Sequence, residues 1–594
     1  MKRRFISPRR IRGSLFYFIP QKMKIHFPNQ SQTVETAENA RLSDIIREHI
    51  GEVLPMPCGG GGTCGKCTVQ LASGETVRAC RTYVDRDMTV ILPRIPIRHQ
   101  LIQTRFSPEL LENADTWERL HPDADSQGSG GYSLAFDLGT TTLAAALIQE
   151  KTILATVSRP NPQAPYGADV ISRIQYGTRH PAQLAELQSA LLKAVLEMTH
   201  ELFETTPALK LKREEAPSSV AETEKMLFAS VRRLVFAGNT TIEQTLAGID
   251  LSSLAAFPFT PSEDLKSLGF AGDPCWNGMF SCFRPETRIF LFPVMGAFVG
   301  GDITAGLLAL RPEETEYTET SEKTLEKTNA KRCEILLDLG TNGEIVLETP
   351  SGRIACATAA GPCFEGAKIS CGMCAETGAV LHVEDRAGTP FFATLHDEPA
   401  SGICGSALID LTAELLRLGI LTEDGRLLDQ EEIPEEIPSA WRKRIRKTAI
   451  PAPGSPVSDA EMTVFHISGR ICVTQQDFRE LQLAVGAIRT GIRLLLAREG
   501  ILPAQLSAFH IAGGFGKSLR IRNAQKIGLI PADIPPEKIH FLGNTSLAGA
   551  VIAARTPVLW TRAQTLARET QCIDLALEDG FSDAFMDSMF WRES

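Results

Sequence analysis

Apolar and polar residues alternate near the start of the chain, and this pattern predicts a small mixed domain over residues 23–97. The predicted elements are a strand at 23–27, a helix at 41–49, a hairpin at 68–77 and a final strand at 88–92. Ser73 and Gly74 supply the turn of the hairpin, because glycine adopts the backbone angles that tight turns need. The pattern therefore predicts an independent unit ahead of the main body of the chain.

The main body contains an internal repeat of one apolar pattern. Residues 132–142 read YSLAFDLGTTT and residues 333–343 read CEILLDLGTNG, each an apolar strand that ends in Asp-Leu-Gly-Thr and precedes another apolar run. A weaker repeat pairs VFAGNTT at 235–241 with HFLGNTS at 540–546. Repetition in a fixed order predicts two lobes that are built on the same strand-turn-strand plan.

Polar and glycine-rich stretches divide the chain into predicted domains. Residues 1–22 are basic and differ from the rest, so they are either a targeting extension or lie upstream of a true start at Met23. Polar stretches at 205–226 and 430–460 predict surface insertions. The predicted divisions are the small domain at 23–97, a linker at 98–131 that ends in DADSQGSGG, a first lobe at 132–310, a connector at 311–332 and a C-terminal domain at 333–594.

Composition narrows the class of protein. The chain has 594 residues and a formal net charge of −10, which argues against nucleic acid as a partner. It contains no run of eighteen apolar residues, so we expect no membrane span. Fourteen cysteines suit a reducing cytoplasm, where thiols stay free or bind metal.

Four cysteines in the small domain predict an iron–sulfur site. Cys58, Cys64, Cys67 and Cys80 have the spacing Cys-x5-Cys-x2-Cys-x12-Cys, close to that of plant-type [2Fe-2S] proteins, and glycines at 59–62 let the backbone wrap around a cluster. Structural zinc usually uses two Cys-x2-Cys pairs, and a disulfide framework suits small secreted chains. We therefore favour a [2Fe-2S] cluster, and the order of elements suits the β-grasp ferredoxin fold.

The repeated hairpins predict a nucleotide site. A tight turn rich in Gly and Thr presents backbone N–H groups and hydroxyls to phosphate oxygens. Asp137 and Asp338 end the two first strands, where a carboxylate can hold Mg²⁺ or orient a water for attack on a γ-phosphate. The loop Gly513, Gly514, Phe515 and Gly516 allows close approach of adenosine, and Gly543, Asn544 and Ser546 are candidates nearby. Each motif alone is also compatible with a plain turn.

Together these residues resemble the ASKHA superfamily of sugar kinases, chaperones and actin, and more closely the reductive activators of corrinoid proteins, often called RACo. The resemblance covers residues 23–594 and implies an α/β and α+β multidomain fold, with a β-grasp [2Fe-2S] ferredoxin domain, a linker and duplicated ribonuclease-H-like lobes. The stretches that carry it include NPQAPYGADVISRI (161–174), GNTTIEQTLAG (238–248), PVMGAFVGGDITAGLL (293–308), AAGPCFEGAKISCGM (359–373), GICGSALIDL (402–411) and HIAGGFGKSL (510–519).

The resemblance implies an ATP-dependent activator that passes one electron to a Co(II) corrinoid protein and restores Co(I). It implies that Cys58, Cys64, Cys67 and Cys80 ligate the cluster, and that Asp137 and Asp338 serve Mg²⁺ or the attacking water. Asp302 is a further candidate in the cleft, with a helix N-cap as its alternative role. The family also suggests a homodimer. The implied phosphate-binding residues are Gly139, Thr140, Thr141, Thr142, Gly340, Thr341, Asn342 and Gly343.

Other functions remain open at this point. The chain could activate a different low-potential enzyme, of the 2-hydroxyacyl-CoA dehydratase type, or be a small-molecule kinase fused to a ferredoxin, or a non-enzymatic electron carrier. No G-x-G-x-x-G fingerprint for FAD or NAD follows a strand, so we expect an external electron donor, a reductase or another ferredoxin. The chain departs from the plain family pattern at Cys363, Cys371 and Cys374, and the last two form a CGMC motif, which suggests redox chemistry, a second metal or simply small residues in a glycine-rich loop.

Overall fold

The computed structural model describes residues 22–591 with several gaps. The gaps are residues 31, 51–53, 55–66, 93–103, 121–130, 208, 210–219, 266–267, 274–275, 277, 279, 312–331, 367, 450–460 and 515–517. The basic extension at 1–21, Cys58, Cys64, Phe515, Gly516 and nearly all of the predicted connector at 311–332 therefore lie outside the described residues.

The first unit contains a five-stranded sheet in the order β2-β1-β5-β3-β4. Its strands are β1 (Lys22–Phe27), β2 (Gln32–Ala37), β3 (Thr68–Leu71), β4 (Thr76–Arg78) and β5 (Met88–Ile91), and its helix α1 (Leu42–Ile45) continues into a π-helix (Ile46–Ile50). Met23, Ile25 and Phe27 alternate with exposed residues and enter the core, as the sequence pattern predicted. β1 pairs parallel with β5 and antiparallel with β2, which is the β-grasp arrangement.

A helix, α2 (Pro108–Leu120), occupies the middle of the predicted linker. Leu110 and Ala114 are buried in the core of the second unit. Just before the helix, Phe106 bridges Gly543, and the backbone N–H of Ser107 donates to the Leu542 carbonyl at 2.8 Å. This part of the linker is thus an ordered element, whose helical spacing of apolar residues outweighs its polar composition.

The first lobe of the second unit is a six-stranded sheet in the order β10-β11-β9-β6-β7-β8. Its strands are β6 (Tyr132–Leu138), β7 (Thr142–Gln149), β8 (Thr152–Pro160), β9 (Val231–Gly238), β10 (Leu268–Phe270) and β11 (Arg288–Leu291). Every residue of β6 is buried, as expected for a central strand covered on both faces. The helices are α3 (Val170–Gly177), α4 (Pro181–Thr205), α5 (Val220–Ala229), α6 (Thr240–Leu246), α7 (Ser252–Ala255) and α8 (Gly301–Leu310).

The second lobe contains a six-stranded sheet in the order β22-β21-β12-β13-β14-β23 and two smaller sheets. Its strands are β12 (Glu334–Leu339), β13 (Gly343–Thr349), β14 (Gly352–Thr358), β15 (Ala379–Arg386), β16 (Thr389–Thr394), β17 (Gly402–Ile403), β18 (Ile445–Ala449), β19 (Glu461–Ser468), β20 (Ile471–Thr474), β21 (Ala508–Ala512), β22 (Ile539–Gly543) and β23 (Thr570–Cys572). Its helices are α9 (Gly405–Arg417), α10 (Ser439–Arg442), α11 (Gln475–Glu499), α12 (Ile521–Lys526), α13 (Thr545–Arg555), α14 (Trp560–Glu569) and α15 (Phe581–Ser588).

The two six-stranded sheets confirm the predicted duplication. In each, an antiparallel three-stranded meander is extended by parallel strands next to its first strand: β6-β7-β8 is followed by β9 and β11, and β12-β13-β14 by β21 and β22. The weaker repeat does not mark equivalent strands, because β9 lies directly beside β6 whereas β22 is one strand removed from β12. What it marks is a shared local motif, an Asn cap after a strand: Asn239 caps α6 and Asn544 caps α13.

Helices α8 and α13 pack closely between the two sheets, in a core shared by Ala135 of the first sheet and Leu336 of the second. A Cβ atom on Gly549 would overlap the Ala305 carbonyl, and one on Gly306 would lie 2.8 Å from Thr545 Oγ1. Both helices begin at the same cleft. None of the helices in the described ranges has the length and apolar character that a membrane span requires.

Candidate functional site

The turns of the two repeated hairpins meet in the second unit. Thr141 Oγ1 of the β6–β7 turn lies 2.9 Å from Thr341 Oγ1 of the β12–β13 turn. Both hydroxyls also donate to one carboxylate oxygen, Glu365 Oε2, at 2.5 and 3.0 Å. The structure thus brings together two loops from opposite lobes, which suits a site that grips one phosphate chain from both sides.

Asp137 is buried at the end of β6 and is held by the start of α13. Asn544 Nδ2 donates to its Oδ2 at 2.7 Å, and Ser546 Oγ donates to its Oδ1 at 2.8 Å. Asn544 also caps α13 by accepting from the backbone N–H of Leu547. These contacts place Asn544 and Ser546 against the first aspartate, which the sequence had only grouped with the proposed adenosine loop.

The first turn is fixed by polar side chains beneath it. Asn161 Nδ2 donates to the Gly139 carbonyl at 2.8 Å, Asn239 Nδ2 donates to Thr140 Oγ1 at 2.9 Å, and the buried guanidinium of Arg173 donates to the Thr140 carbonyl. These bonds to the carbonyls and hydroxyl fix the conformation of the turn, and a fixed turn rich in Gly and Thr suits a phosphate group. Asn161 is the first residue of the stretch 161–174 and Arg173 is its last but one. This stretch therefore supports the turn.

Asp338 ends β12 and lies beside the glycine-rich loop. Gly513 has φ +93°, and a Cβ atom there would sit 3.1 Å from Asp338 Oδ1 and would overlap the Leu339 carbonyl. Its backbone N–H donates to the Gly543 carbonyl at 2.9 Å. Glycine is therefore required at residue 513 on both conformational and steric grounds.

A cleft that is open to solvent extends from the hairpin turns to the glycine-rich loop. Thr141, Thr142 and Glu365 line its polar end, and Gly514 lies on another wall. Its remaining lining includes the apolar side chains of Phe364 and Met373. A polar end beside apolar walls suits a ligand with both a phosphate chain and a nucleoside.

Six buried carboxyl groups of the second unit, among them Glu365 at the cleft, have raised pKa values, and burial is the largest cause for each. Burial raises the pKa of Asp137 to about 6, against the hydrogen bonds from Asn544 and Ser546 that lower it. Burial and Asp137 raise the pKa of Asp302 to about 7, and burial, Asp302 and Asp137 raise that of Asp338 to about 8. Burial also raises the pKa values of Glu243, Glu344 and Glu365.

This crowding of acids suits a cation that arrives with its own ligands. Within the described ranges, no three His, Cys, Asp or Glu side chains are arranged to hold a metal ion by themselves. Mg²⁺ commonly uses only one or two carboxylates together with substrate phosphates and water, so the arrangement fits Mg²⁺ carried by a nucleotide. Asp302 lies in the first turn of α8, whose N-cap is Gly300, and its Oδ1 accepts from the N–H of Ile303 at 2.9 Å.

The raised pKa values predict that the protein loses stability as the pH rises. An unfolded Asp has a pKa near about 3.9, so between about pH 4 and pH 8 the folded state binds more protons at Asp338 than the unfolded state does. The free energy of unfolding should therefore fall through this window, and Asp338→Asn should flatten the fall. Thermal unfolding at pH 6 and pH 8 without divalent cations measures it, and equal slopes for the two proteins would contradict the prediction.

Two of the four predicted cluster cysteines lie in described parts of the first unit. Cys67 directly precedes β3, and Cys80 lies in the 3-10 turn after β4. Both are buried, and the N–H of Ala79 donates to the Cys67 carbonyl at 2.9 Å, so the hairpin holds the two segments side by side. Arg41 Nε donates to the Cys80 carbonyl at 2.7 Å. Two thiols on adjacent segments fit a shared cluster that Cys58 and Cys64 would complete.

The CGMC motif does not form a metal centre with its described neighbours. Cys363 is buried, and burial raises its pKa well above the ordinary value for a thiol. Cys374 Sγ lies 3.6 Å from the Glu365 carbonyl, and Cys371 Sγ lies 3.9 Å from the Arg470 carbonyl. Cys371 and Cys374 therefore contact backbone carbonyls, and Cys374 packs against the backbone of Glu365 itself.

Sequence reasoning missed Glu365, Glu243 and Arg173 as members of the site. Glu365 lies within AAGPCFEGAKISCGM, a stretch that carries the family resemblance but has no motif that predicts a role for this residue. Glu243 is fully buried on α6, where its Oε1 accepts from the N–H of Gly238 at 3.2 Å. A charged residue in an otherwise apolar or small-residue stretch was the available signal in each case.

Comparison with protein families assigns three regions of the chain. Residues 26–90 match the family described as the 2Fe-2S iron-sulfur cluster binding domain. Residues 132–216 and 213–314 match the RACo middle region, and residues 332–594 match the C-terminal domain of RACo, the ASKHA domain. These matches cover both units and both lobes.

Individual proteins give the same result. The chain is 26% identical to the corrinoid activation enzyme RamQ of Eubacterium limosum, over 95% of this chain and 98% of that protein. It is 25% identical to the Co(II) methylated amine-specific corrinoid protein reductase of Methanosarcina barkeri, over 70% of this chain and 68% of that protein. A solved structure of a reductive activator for corrinoid, iron-sulfur protein has a TM-score of 0.61 at 25% identity and covers 96% of this chain and 98% of its own.

Proposed function

Because the chain belongs to the family of reductive activators of corrinoid proteins, we propose that it passes one electron to a Co(II) corrinoid protein at the expense of ATP. The observation that carries the proposal is that family matches follow one another along almost the whole chain. A 2Fe-2S domain, a RACo middle region and a RACo ASKHA domain follow one another in one polypeptide, and a relative aligns over 95% of it. The product is the Co(I) corrinoid, which accepts methyl groups.

The residues of the cleft bind and turn over ATP in this proposal. The turns at 139–142 and 340–343 hold phosphate oxygens through N–H and hydroxyl groups. Asp137, Asp302 and Asp338 hold Mg²⁺ or orient the attacking water, and Asn544 and Ser546 keep Asp137 in place. Gly513 and Gly514, with Phe515 and Gly516, admit the nucleoside.

Four cysteines near the start of the chain hold the redox group in this proposal. Cys58, Cys64, Cys67 and Cys80 provide four thiolates, and a [2Fe-2S] cluster bound there supplies one-electron transfer. Hydrogen bonds to the backbone at Cys67 and Cys80 fix the positions from which two of the thiolates bind. Within the proposal the electron enters from an external donor, the protein acts in the cytoplasm, and it is a homodimer.

ATP is needed because the transfer runs uphill. Plant-type [2Fe-2S] centres lie near about −400 mV, and the Co(II)/Co(I) couple lies lower. Each 59 mV changes a one-electron equilibrium about tenfold. ATP can offset this difference in potential only if it binds one state of the activator–corrinoid protein complex more tightly than the other. The offset in free energy cannot exceed the difference between the two binding free energies.

Alternative functions have less support. An activator of a 2-hydroxyacyl-CoA dehydratase or a ferredoxin-fused kinase would share the ASKHA hairpins. Neither accounts for relatives named for corrinoid activation and corrinoid protein reduction that align along the chain. A non-enzymatic electron carrier would not need buried carboxylates such as Asp137 and Asp338 at a nucleotide site.

Stopped-flow reduction of a Co(II) corrinoid protein tests the proposal. The reduced activator is mixed with the corrinoid protein in the presence of Mg²⁺-ATP, Mg²⁺-ADP or no nucleotide, and the cobalt absorbance is followed. We expect faster and more complete formation of Co(I) with ATP. Equal rates and end points in the three samples would refute the coupling.

A further inference from the structure

Glu365 occupies the hydrogen-bond donors that a terminal phosphate would use. One of its carboxylate oxygens accepts from the hydroxyls of Thr141 and Thr341, the residues at which the two turns meet. An anionic oxygen that accepts from both turns is chemically similar to a phosphoryl oxygen. Each hydroxyl has one proton to donate, so Glu365 and a phosphate cannot both receive it.

The backbone around Glu365 is held firmly in place. Glu365 ends a 3-10 turn, Pro362–Glu365, flanked by Gly361 at φ +73° and Gly366 at φ +78°. A Cβ atom on Gly366 would lie 2.5 Å from the backbone nitrogen of Met373, and one on Gly405 would overlap the Phe364 carbonyl. The carboxylate is therefore presented to the cleft from a rigid support.

Two charged neighbours act on the Glu365 carboxylate, which lies where the two hairpin turns would hold a phosphate. Arg173 attracts the carboxylate, and Asp338 repels it. In the proposed binding mode the nucleoside lies against the Gly513–Gly514 loop and the terminal phosphate lies between the two turns. A triphosphate then meets Glu365 more directly than a diphosphate does.

We propose that Glu365 competes with the terminal phosphate of ATP for Thr141 and Thr341, and so sets the preference of the site between ATP and ADP. The proposal rests on the proposed nucleotide-dependent function and deepens it. In the absence of the terminal phosphate the carboxylate joins the two turns. When ATP binds, its terminal phosphate takes over the two hydroxyls, and after hydrolysis Glu365 regains them, which favours release of phosphate.

Calorimetric titration of the full-length protein tests this competition. Wild type and Glu365→Gln are titrated with the Mg²⁺ complexes of a non-hydrolysable ATP analogue and of ADP. Glutamine removes the negative charge that attracts both hydroxyls and repels phosphate, so we expect the analogue to bind Glu365→Gln roughly tenfold more tightly, and ADP to change much less. Glu398→Gln, at an exposed residue, makes the same charge change outside the cleft and should match wild type.

A second variant keeps the inference testable if Glu365→Gln folds poorly. Thr141→Val with Thr341→Val removes both donors, and it should weaken binding of the analogue more than binding of ADP. In that background Glu365→Gln should lose most of its effect, because the shared donors are gone.

Two results would overturn the inference. One is an unchanged ratio of analogue to ADP affinity in Glu365→Gln, and the other is a loss of hydrolysis with no change in affinity, which would place Glu365 on the attacking water. Failure of the wild-type protein to bind either nucleotide would instead refute the proposed function itself.

Discussion

Replacing Cys80 by alanine is expected to abolish electron transfer to a Co(II) corrinoid protein while nucleotide binding persists. Cys80 is buried in the core of the first unit, on the segment held beside Cys67. A [2Fe-2S] cluster needs four ligands, so the loss of one thiolate should empty the site or leave it unstable. The cleft belongs to the second unit, which has its own cores, so we expect nucleotide affinity within about twofold of wild type.

Iron and acid-labile sulfide contents, the electron paramagnetic resonance spectrum of the reduced protein and stopped-flow traces measure the effect. Cys282→Ala is the matched control, because Cys282 is an exposed thiol of the first lobe and is not one of the predicted ligands. A Cys80→Ala protein that kept iron and reduced cobalt at the wild-type rate would show that this thiolate is not a ligand.

Replacing Asp338 by asparagine should slow ATP hydrolysis by about 10²–10⁴-fold. Asparagine has nearly the same shape but cannot carry the negative charge that holds Mg²⁺ or accepts a proton from water. The packing of Gly513 against this side chain should survive, so the loss should appear in kcat rather than in folding. The same variant removes one of the mutually repelling acids and should be more stable than wild type at pH 8.

Phosphate release with saturating ATP and the corrinoid protein present measures this loss. Asp264→Asn changes an exposed carboxylate of the first lobe and should leave turnover unchanged. Turnover of Asp338→Asn within a few-fold of wild type would exclude a direct role for Asp338 in hydrolysis.

The strands were predictable from sequence wherever burial dictated their pattern. β1 alternates because one face is buried, and β6 and β12 are mostly apolar because both faces are largely covered. The repeated Asp-Leu-Gly-Thr ends were visible because a tight turn restricts which residues fit. The cysteine spacing was informative for the same reason, since few folds need four thiols at short intervals.

Long-range contacts were not predictable in this way. Glu365 is separated by 224 positions from Thr141, so no local pattern links the two residues. Asp137 and its donor Asn544 are separated by 407 positions. The helix α2 was missed for a different reason: the polar end of the segment at 98–131 dominated its composition, although Leu110, Leu111, Ala114 and Trp117 have helical spacing.

The glycine contact between α8 and α13 has a mechanical consequence. The close approach of the two helices at Gly306 and Gly549 lets the pair act as a pivot for the lobes. Points close to a pivot move least. Asp302 and Asn544, the donor to Asp137, lie at the starts of these helices close to the contact, so a rotation that separates the two hairpin turns would displace Asp302 and Asp137 only slightly.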